Sequence, residues 1–227
     1  MSNKGNSRHL KRLAASRFMG IHRKEAKYAA KPTPGRHTLA HSTSLLSILR
    51  DKLSYASNSA EAKHIVKNLQ SITLNGRLVK DANIAVGYGD IIGILPTNEY
   101  YKVSVNKQGA VVLEKASSDA KRIGRIQDIY VVKGNKKMMR LHDGSVMPAI
   151  EGAKVNDSVV IANNKPESLL KFDSGATCFV YKGRHTSETG KIKEIIKGSA
   201  RSGSKVRIAN DRGTFETLVE NVIVIGA

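Results

Sequence analysis

A chain of 227 residues with 40% hydrophobic content is long enough to bury real cores, as one or two domains or as several smaller modules. Its 38 Lys and Arg against 19 Asp and Glu give a formal net charge of +19, and a surface that basic points to a polyanion, because each neutralised phosphate releases condensed counterions. No apolar run approaches the roughly 20 residues of a membrane span, and no basic amphipathic helix carries large aromatics on its apolar face, so a membrane is set aside in favour of nucleic acid.

Residues 1–41 differ from the rest. Ten Lys and Arg against Glu25 alone put +9 of the charge in under a fifth of the chain. Leu10, Leu13, Ala14, Phe18 and Ile21 recur near helical spacing and predict a short helix, and Lys31-Pro32-Thr33-Pro34-Gly35 forces extended or turning backbone. The segment reads as an arm ordered by its partner, open to protease when free. A transit peptide, Arg- and Ser-containing and poor in acids, and a merely solvated basic tail are the other readings.

Residues 42–105 predict a small α+β module. Ser42 is placed to cap a helix with Leu45, Leu49 and Leu53 at i, i+4, i+8. Asn58 opens a second helix, with Glu61 completing a capping box. Its Ala62, Ile65, Val66 and Leu69 mark a buried face, and Lys63, His64 and Lys67 lie opposite. Asn75-Gly76 is a hairpin signal between Ser71–Leu74 and Arg77–Val79. Residues 106–172 predict a small β domain, with Asp143-Gly144 as a second hairpin signal. Residues 173–227 predict five short strands joined by glycine-containing loops, the pattern of a small barrel. Cys178, the single cysteine, lies in its first strand as a small buried apolar residue. It excludes an internal disulfide and a zinc ribbon, and suits a reducing compartment.

His9-Leu10-Lys11-Arg12-Leu13-Ala14-Ala15 resembles the amino-terminal signature of the archaeal and eukaryotic small-subunit ribosomal protein family S-four-e (S4e). Leu49-Arg50-Asp51-Lys52-Leu53-Ser54-Tyr55-Ala56, with Glu61-Ala62-Lys63 and Leu74-Asn75-Gly76, resembles that family's S-four-type RNA-binding module. Gly190 and the closing Asn221-Val222-Ile223-Val224-Ile225-Gly226 resemble its KOW module, an SH3-like β-barrel. The chain departs from the pattern in lacking an arm tryptophan near Phe18 and in holding Ser42-Thr43-Ser44 and Ser59-Ala60 where arginines are common. Its end just beyond the barrel is that of an archaeal-type member.

The resemblance implies an α+β chain of basic arm, S-four-type module, central β domain and KOW barrel. It implies a cytoplasmic, ribosome-bound constituent of the small subunit whose partners are ribosomal RNA and neighbouring small-subunit proteins. Neither a membrane, a small-molecule substrate, a cofactor nor a metal is expected. The candidate RNA contacts are Arg8, Lys11, Arg12, Arg17, Arg23, Lys24 and Arg36 on the arm, and Arg50, Lys52, Lys63, Lys67 and Arg77 on the module. Lys182, Arg184, His185, Lys197, Arg201 and Lys205 follow in two barrel loops. Arm histidines 9, 22, 37 and 41 read as further RNA contacts, and Tyr28 and Tyr88 as possible base-stacking platforms.

Enzymatic patterns fail on their details. Gly198 to Lys205 resembles a P-loop, but Ser204 precedes Lys205 where the motif needs Lys first, and a strand rather than a helix follows. Gly87-Tyr88-Gly89 leads into a strand, against a dinucleotide fingerprint. A pseudouridine-synthase-type enzyme needs a large catalytic domain that the remaining residues do not supply. A transcription-elongation-type factor, also a user of KOW modules, would bind polymerase instead of ribosomal RNA.

Overall fold

Strands dominate the chain. Three five-stranded sheets of antiparallel pairs follow one another, and among the described residues the one α-helix longer than a turn is Ser59–Lys67. This mostly-β arrangement with few helices is compatible with the α+β class. The structure, a computed structural model, describes residues 9–118, 120–162, 164–199, 203–210 and 213–226. Among them no helix is long and apolar enough to cross a membrane.

The first sheet runs in the order Arg77–Leu78, Ile72–Leu74, Ile91–Ile94, Glu99–Val105, Val111–Ala116. Asn75 and Gly76 both take positive φ, 53° and 76°, as a two-residue hairpin turn requires. The strand Val111–Ala116 pairs along Glu99–Val105, so this sheet continues past the division at residue 105 that the sequence suggested. Ser42–Ser44 is a strand paired with Ala85–Gly87 rather than a cap region. Ser44, not Ser42, caps the first helical turn, its hydroxyl accepting from the Ser47 N–H at 3.2 Å. The chain then widens into a π-helical turn at Ile48–Lys52. Asn58 caps the second helix as expected, accepting from the Ala60 and Glu61 N–H groups at 2.9 Å each. Glu61 closes the box on the Ser57 N–H, one residue earlier than the standard pattern. Ala62 and Val66 are buried, but Leu69 is 61% exposed because the helix stops at Lys67.

The central sheet has the order Val146–Pro148, Lys136–Leu141, Arg122–Val132, Ser158–Ala162, Lys165–Leu170, over a core of Ile126, Met139, Leu141, Met147, Val159 and Ile161. Lys165–Leu170 is a strand that the sequence pattern does not reveal, and Pro166 is accommodated because that strand is a sheet edge. The last sheet contains the five strands expected, ordered Gly213–Leu218, Lys205–Asn210, Thr189–Ile196, Thr177–Val180, Val222–Gly226. Cys178 is fully buried in its core, and burial pushes the thiol up to about 11.

The N-terminal arm is laid against the folded body, not held out for a partner. The expected helix is replaced by two 3-10 turns, Arg12–Ala14 and Arg17–Met19, because Ala15 and Ser16 between them are extended. Leu10–Lys11 pairs with Tyr28–Ala29, and Phe18 enters the core formed by Leu45, Ile48, Leu49 and Ile92. Further on, the Thr33 N–H donates to the Asn83 carbonyl at 2.8 Å. A merely solvated tail does not bury Phe18 and Met19 in this way.

The arm ends in a buried charge hub. Asp90 accepts from Arg36 Nη2 at 3.1 Å, His37 Nε2 at 2.9 Å, Asn75 Nδ2 at 2.7 Å and the Gly87 N–H at 3.0 Å. Asp143 pairs with Arg122, accepts from the Ser145 N–H and hydroxyl, and lies 3.7 Å from Arg36. Three segments distant in sequence are thereby tied together. The arm passes close over two glycines: a Cβ on Gly87 would sit 2.5 Å from the His37 ring, and one on Gly144 2.5 Å from the Arg36 carbonyl oxygen. Gly144 also holds φ at 77°. Gly144→Ala is therefore expected to lower stability by about 1–3 kcal/mol and to open the chain to trypsin after Arg36. Thermal melts and limited proteolysis measure both; a variant with wild-type cleavage would show that the arm is held elsewhere.

Candidate nucleic-acid interface

The structure divides the predicted RNA contacts into two groups. Arg12 is buried, its guanidinium donating to the His22 carbonyl at 2.6 Å and pairing with Glu25 at 2.9 Å, so it staples the arm to itself. Arg36 belongs to the charge hub. Arg50 forks onto Asp51 at 2.6 and 2.9 Å and donates to the Ser59 hydroxyl, so each of its three guanidinium nitrogens has one partner within the protein. His185 stacks on Phe215 at 4.3 Å beside Glu188, and His37 is buried against Asp90. Tyr88 stacks against Phe179 and Tyr181, at 5.1 and 5.5 Å, and is partly buried. Each of these residues has an internal partner within the fold, which gives it a structural role.

The remaining basic residues are available to solvent. Lys11, Arg17, Arg23, Lys24, Lys63, Lys67, Arg77, Arg184, Lys197 and Lys205 are exposed, as is Tyr28. Lys52 is exposed while donating to the Gly20 carbonyl at 3.1 Å, which holds it beside the arm. Arg8 and Arg201 lie outside the described residues.

Part of this second group lines three adjoining clefts that share lining residues and together make up a groove. Its first section runs between the arm and the 106–112 hairpin, past Arg17, His22, Arg23, Lys52 and Gln108. Arg17 and Gln108 also border the next section, with His41, Tyr181, Lys182 and Gly183. His41, Tyr181 and Lys182 then lead into a cleft against the central sheet, lined by Arg36, Arg125, Arg140 and His142. Among the described residues no Asp or Glu lines any of the three sections.

The cations in the deep section are crowded. Burial and the neighbouring Arg125 pull the Lys182 ammonium below its ordinary range, and burial and Lys182 do the same to His41. Arg125 is itself buried; Nη1 donates to Asn156 at 2.9 Å, and its Nε has no protein partner among the described residues. Among the described residues no carboxylate lies within ion-pair distance of Arg125 or Lys182. Like charges held together disfavour their own ionised forms; Glu220 offsets this only in part at Lys182, and an entering anion relieves the remaining cost. Such a groove is built to bind a chain of negative charges.

Comparison with known proteins agrees with this chemistry. A family model described as the RS4NT (NUC023) domain matches residues 4–40, and one described as Ribosomal family S4e matches residues 97–168. The small ribosomal subunit protein eS4 of Methanocella arvoryzae is 34% identical over 220 residues, covering 96% of this chain and 94% of the relative. The chain belongs to the S4e family of ribosomal proteins. Its Ignicoccus hospitalis relative of the same name is 36% identical, covering 98% of this chain and 92% of that one. The crystal structure of the 30S ribosomal protein S4e from Thermoplasma acidophilum matches with a TM-score of 0.69 at 29% identity, over 82% of this chain and 96% of that one.

In this S4e chain three groove residues carry no signal in the sequence. Arg125, Arg140 and Gln108 sit on strands or a tight hairpin, where an isolated basic or polar residue belongs to no motif. His142 adds a pH response to the groove floor. Its Nδ1 accepts from the Arg125 N–H at 3.2 Å, and burial pulls the imidazole down to about 4, against the opposing pull of Asp143. A folded-state value below the unfolded value of 6.5 means that the unfolded chain takes up the proton first. The stabilisation is complete above about pH 6.5 and is lost as pH falls toward 4. Unfolding free energy is expected to drop by about 2–3 kcal/mol between pH 7.5 and 4.5 from this group, at 1.36 kcal/mol per unit. Urea titrations at both pH values test it; His142→Gln falling as steeply would assign the effect to other groups.

Proposed function

We propose that this chain is a structural constituent of the small ribosomal subunit, binding and stabilising its ribosomal RNA in support of translation. Its relatives carry the name of small ribosomal subunit proteins over nearly the full length of the chain. The observation that carries the RNA reading is the groove, which gathers Arg17, Arg23, Lys52, Arg125, Arg140 and Lys182 on three structural units; among the described residues only Arg140 of these six has a carboxylate, Asp128, within ion-pair distance. The protein works by positioning: a rigid, prearranged row of cations meets the phosphates of a folded RNA and reads its shape more than its sequence. Exposed Lys63, Lys67 and Arg77 on the first unit, and Arg184, Lys197 and Lys205 on the last, add contacts of the same kind. The C-terminal strands form an SH3-like barrel of the KOW type, and neighbouring small-subunit proteins complete the surroundings in the cytoplasmic ribosome.

The test is sedimentation of the native protein through a sucrose gradient after washes of rising salt. A set of about 6–10 phosphate contacts alone loses about 10³–10⁵ in affinity between roughly 50 and 200 mM salt. Retention with the small subunit well above that range is the expected result. Release at the first wash, or migration at the top of the gradient, would replace this reading with that of a loosely bound RNA or transcription factor.

A further inference from the structure

The strands Arg122–Val132 and Lys136–Leu141 are longer than the sheet that holds them. Arg122–Arg125 pairs with Ser158–Ile161, and Met138–Arg140 pairs with Val146–Pro148. Beyond these contacts, Val131–Lys137 projects as a two-stranded ribbon, touched only by the Ala149 N–H at the Lys137 carbonyl among the described backbone hydrogen bonds. Its tip, Lys133-Gly134-Asn135-Lys136-Lys137, turns through positive φ at Gly134 and Asn135. Lys133, Lys136 and Lys137 are exposed, and none forms an ion pair among the described residues. Val131 is 58% exposed, Val132 43% and Tyr130 37%, an apolar load that an uncovered ribbon does not ordinarily carry.

Strand alternation decides what shares a face. The register pairs Arg140 with Asp128, Met138 with Tyr130 and Lys136 with Val132, all on one side of the ribbon. Arg140 is also a wall of the cationic cleft. One face therefore runs outward from the groove as the Arg140–Asp128 ion pair, 3.4 Å apart, then Tyr130 and Met138, then Lys136 beside Val132, over about 13 Å at about 3.3 Å per residue.

We propose that this ribbon is a second RNA-docking element, extending the groove, with Lys133 and Lys136 on phosphates, Lys137 on the reverse face adding to the positive tip, and Tyr130 and Val132 against sugars or an unstacked base. RNA is favoured over a protein partner by the uncompensated charge of the tip and by its continuity with the groove. The proposal rests on the RNA-binding reading above and adds to it the place where the RNA leaves the groove.

Two variants of the full chain test it against a transcript of small-subunit ribosomal RNA. Lys133→Ala, Lys136→Ala and Lys137→Ala together are expected to reduce the slope of log K against log salt by about 2–3, at about 0.9 per duplex phosphate. Tyr130→Ala is expected to weaken binding on the order of tenfold with the slope unchanged, because an apolar or stacking contact releases no counterions. All these side chains are solvent-exposed, so circular dichroism should match the wild type. Wild-type affinity and slope in both ribbon variants, with a loss in Arg17→Ala plus Lys182→Ala, would sink the ribbon and leave the RNA reading intact. No loss in either set would sink the RNA reading itself. Unchanged RNA binding with weaker retention in the assembled subunit would overturn the proposal in favour of a protein neighbour.

Discussion

Replacing Asp90 with alanine is expected to cost about 3–5 kcal/mol of unfolding free energy, the range for removing one partner of a buried ion pair. The carboxylate is fully buried and takes four donors, from Arg36, His37, Asn75 and the Gly87 backbone. Without it each donor loses its partner, and Arg36 loses the nearer of its two carboxylates. Asp51→Ala is the contrast, since Asp51 is exposed and exposed pairs contribute about 0–1 kcal/mol. Urea denaturation of both variants at pH 7 makes the comparison. A loss below about 1 kcal/mol at Asp90 would mean that water or a local shift replaces the hub.

The same hub sets the acid limit of the fold. Burial by itself would raise the Asp90 carboxyl, but His37 and Arg36 outweigh it and hold the group well below the usual carboxylate range. A depressed folded-state value contributes stability that is complete above the unfolded value of about 3.9 and is lost as pH falls through the folded one. Acid unfolding in wild type is thus expected in two stages: the His142 loss begins near pH 6.5, and the Asp90 loss begins below about pH 4. Asp90→Asn should shrink the second stage, to which Asp143, also held low against burial by His142 and Arg122, still contributes, and leave the first.

Removing three groove cations together, as Arg17→Ala, Arg140→Ala and Lys182→Ala, is expected to flatten the salt dependence of RNA binding by about 2.7 in slope, at about 0.9 for each phosphate no longer neutralised. Arg17 and Arg140 are exposed, and Lys182 is half-buried over the Tyr181 ring. The matched control is Arg12→Met, which removes a charge from the same arm at a site committed to Glu25. Its slope should equal that of wild type, although its stability should fall. Filter binding across a salt series measures both slopes, and thermal melts the stability. A triple variant with an unchanged slope would place the RNA elsewhere, on the faces that carry Lys63, Lys67 and Arg77 or the last two loops. Should Arg12→Met flatten the slope as well, the arm must leave the body when RNA binds.

Much of the local architecture was legible because its cause is local. Asn75-Gly76 turns as a hairpin because those two residues tolerate positive φ, and Asn58 with Glu61 caps a helix because the partners lie within four residues. The five C-terminal strands follow from alternation and glycine spacing. Leu69 misled because helical spacing says nothing of where a helix stops, and Ser42 because Ala85–Gly87, some forty residues on, claims it as a strand partner. The N-terminal arm misled most. Composition describes a segment too charged to fold alone, while Phe18, the Arg12–Glu25 pair and the Asp90 hub supply what that composition lacks.

Sequence alone pointed to a polyanionic partner and determined most strands and turns, because net charge, periodicity and turn chemistry are properties of short stretches of chain. It also carried the family, through motifs spread over arm, first unit and C-terminal strands. Tertiary structure alone decided which cations are left exposed and which are paired within the fold. Arg12, Arg36 and Arg50 are indistinguishable in sequence from Arg17 and Arg23, yet the first three are held by Glu25, Asp90 and Asp51. Arg125, Arg140 and Lys182 share a cleft only because the central sheet and the C-terminal loops are folded against the arm. Whether a charge binds outward or inward depends on what lies within about 4 Å of it, where Coulomb attraction and desolvation compete, and the fold sets that distance.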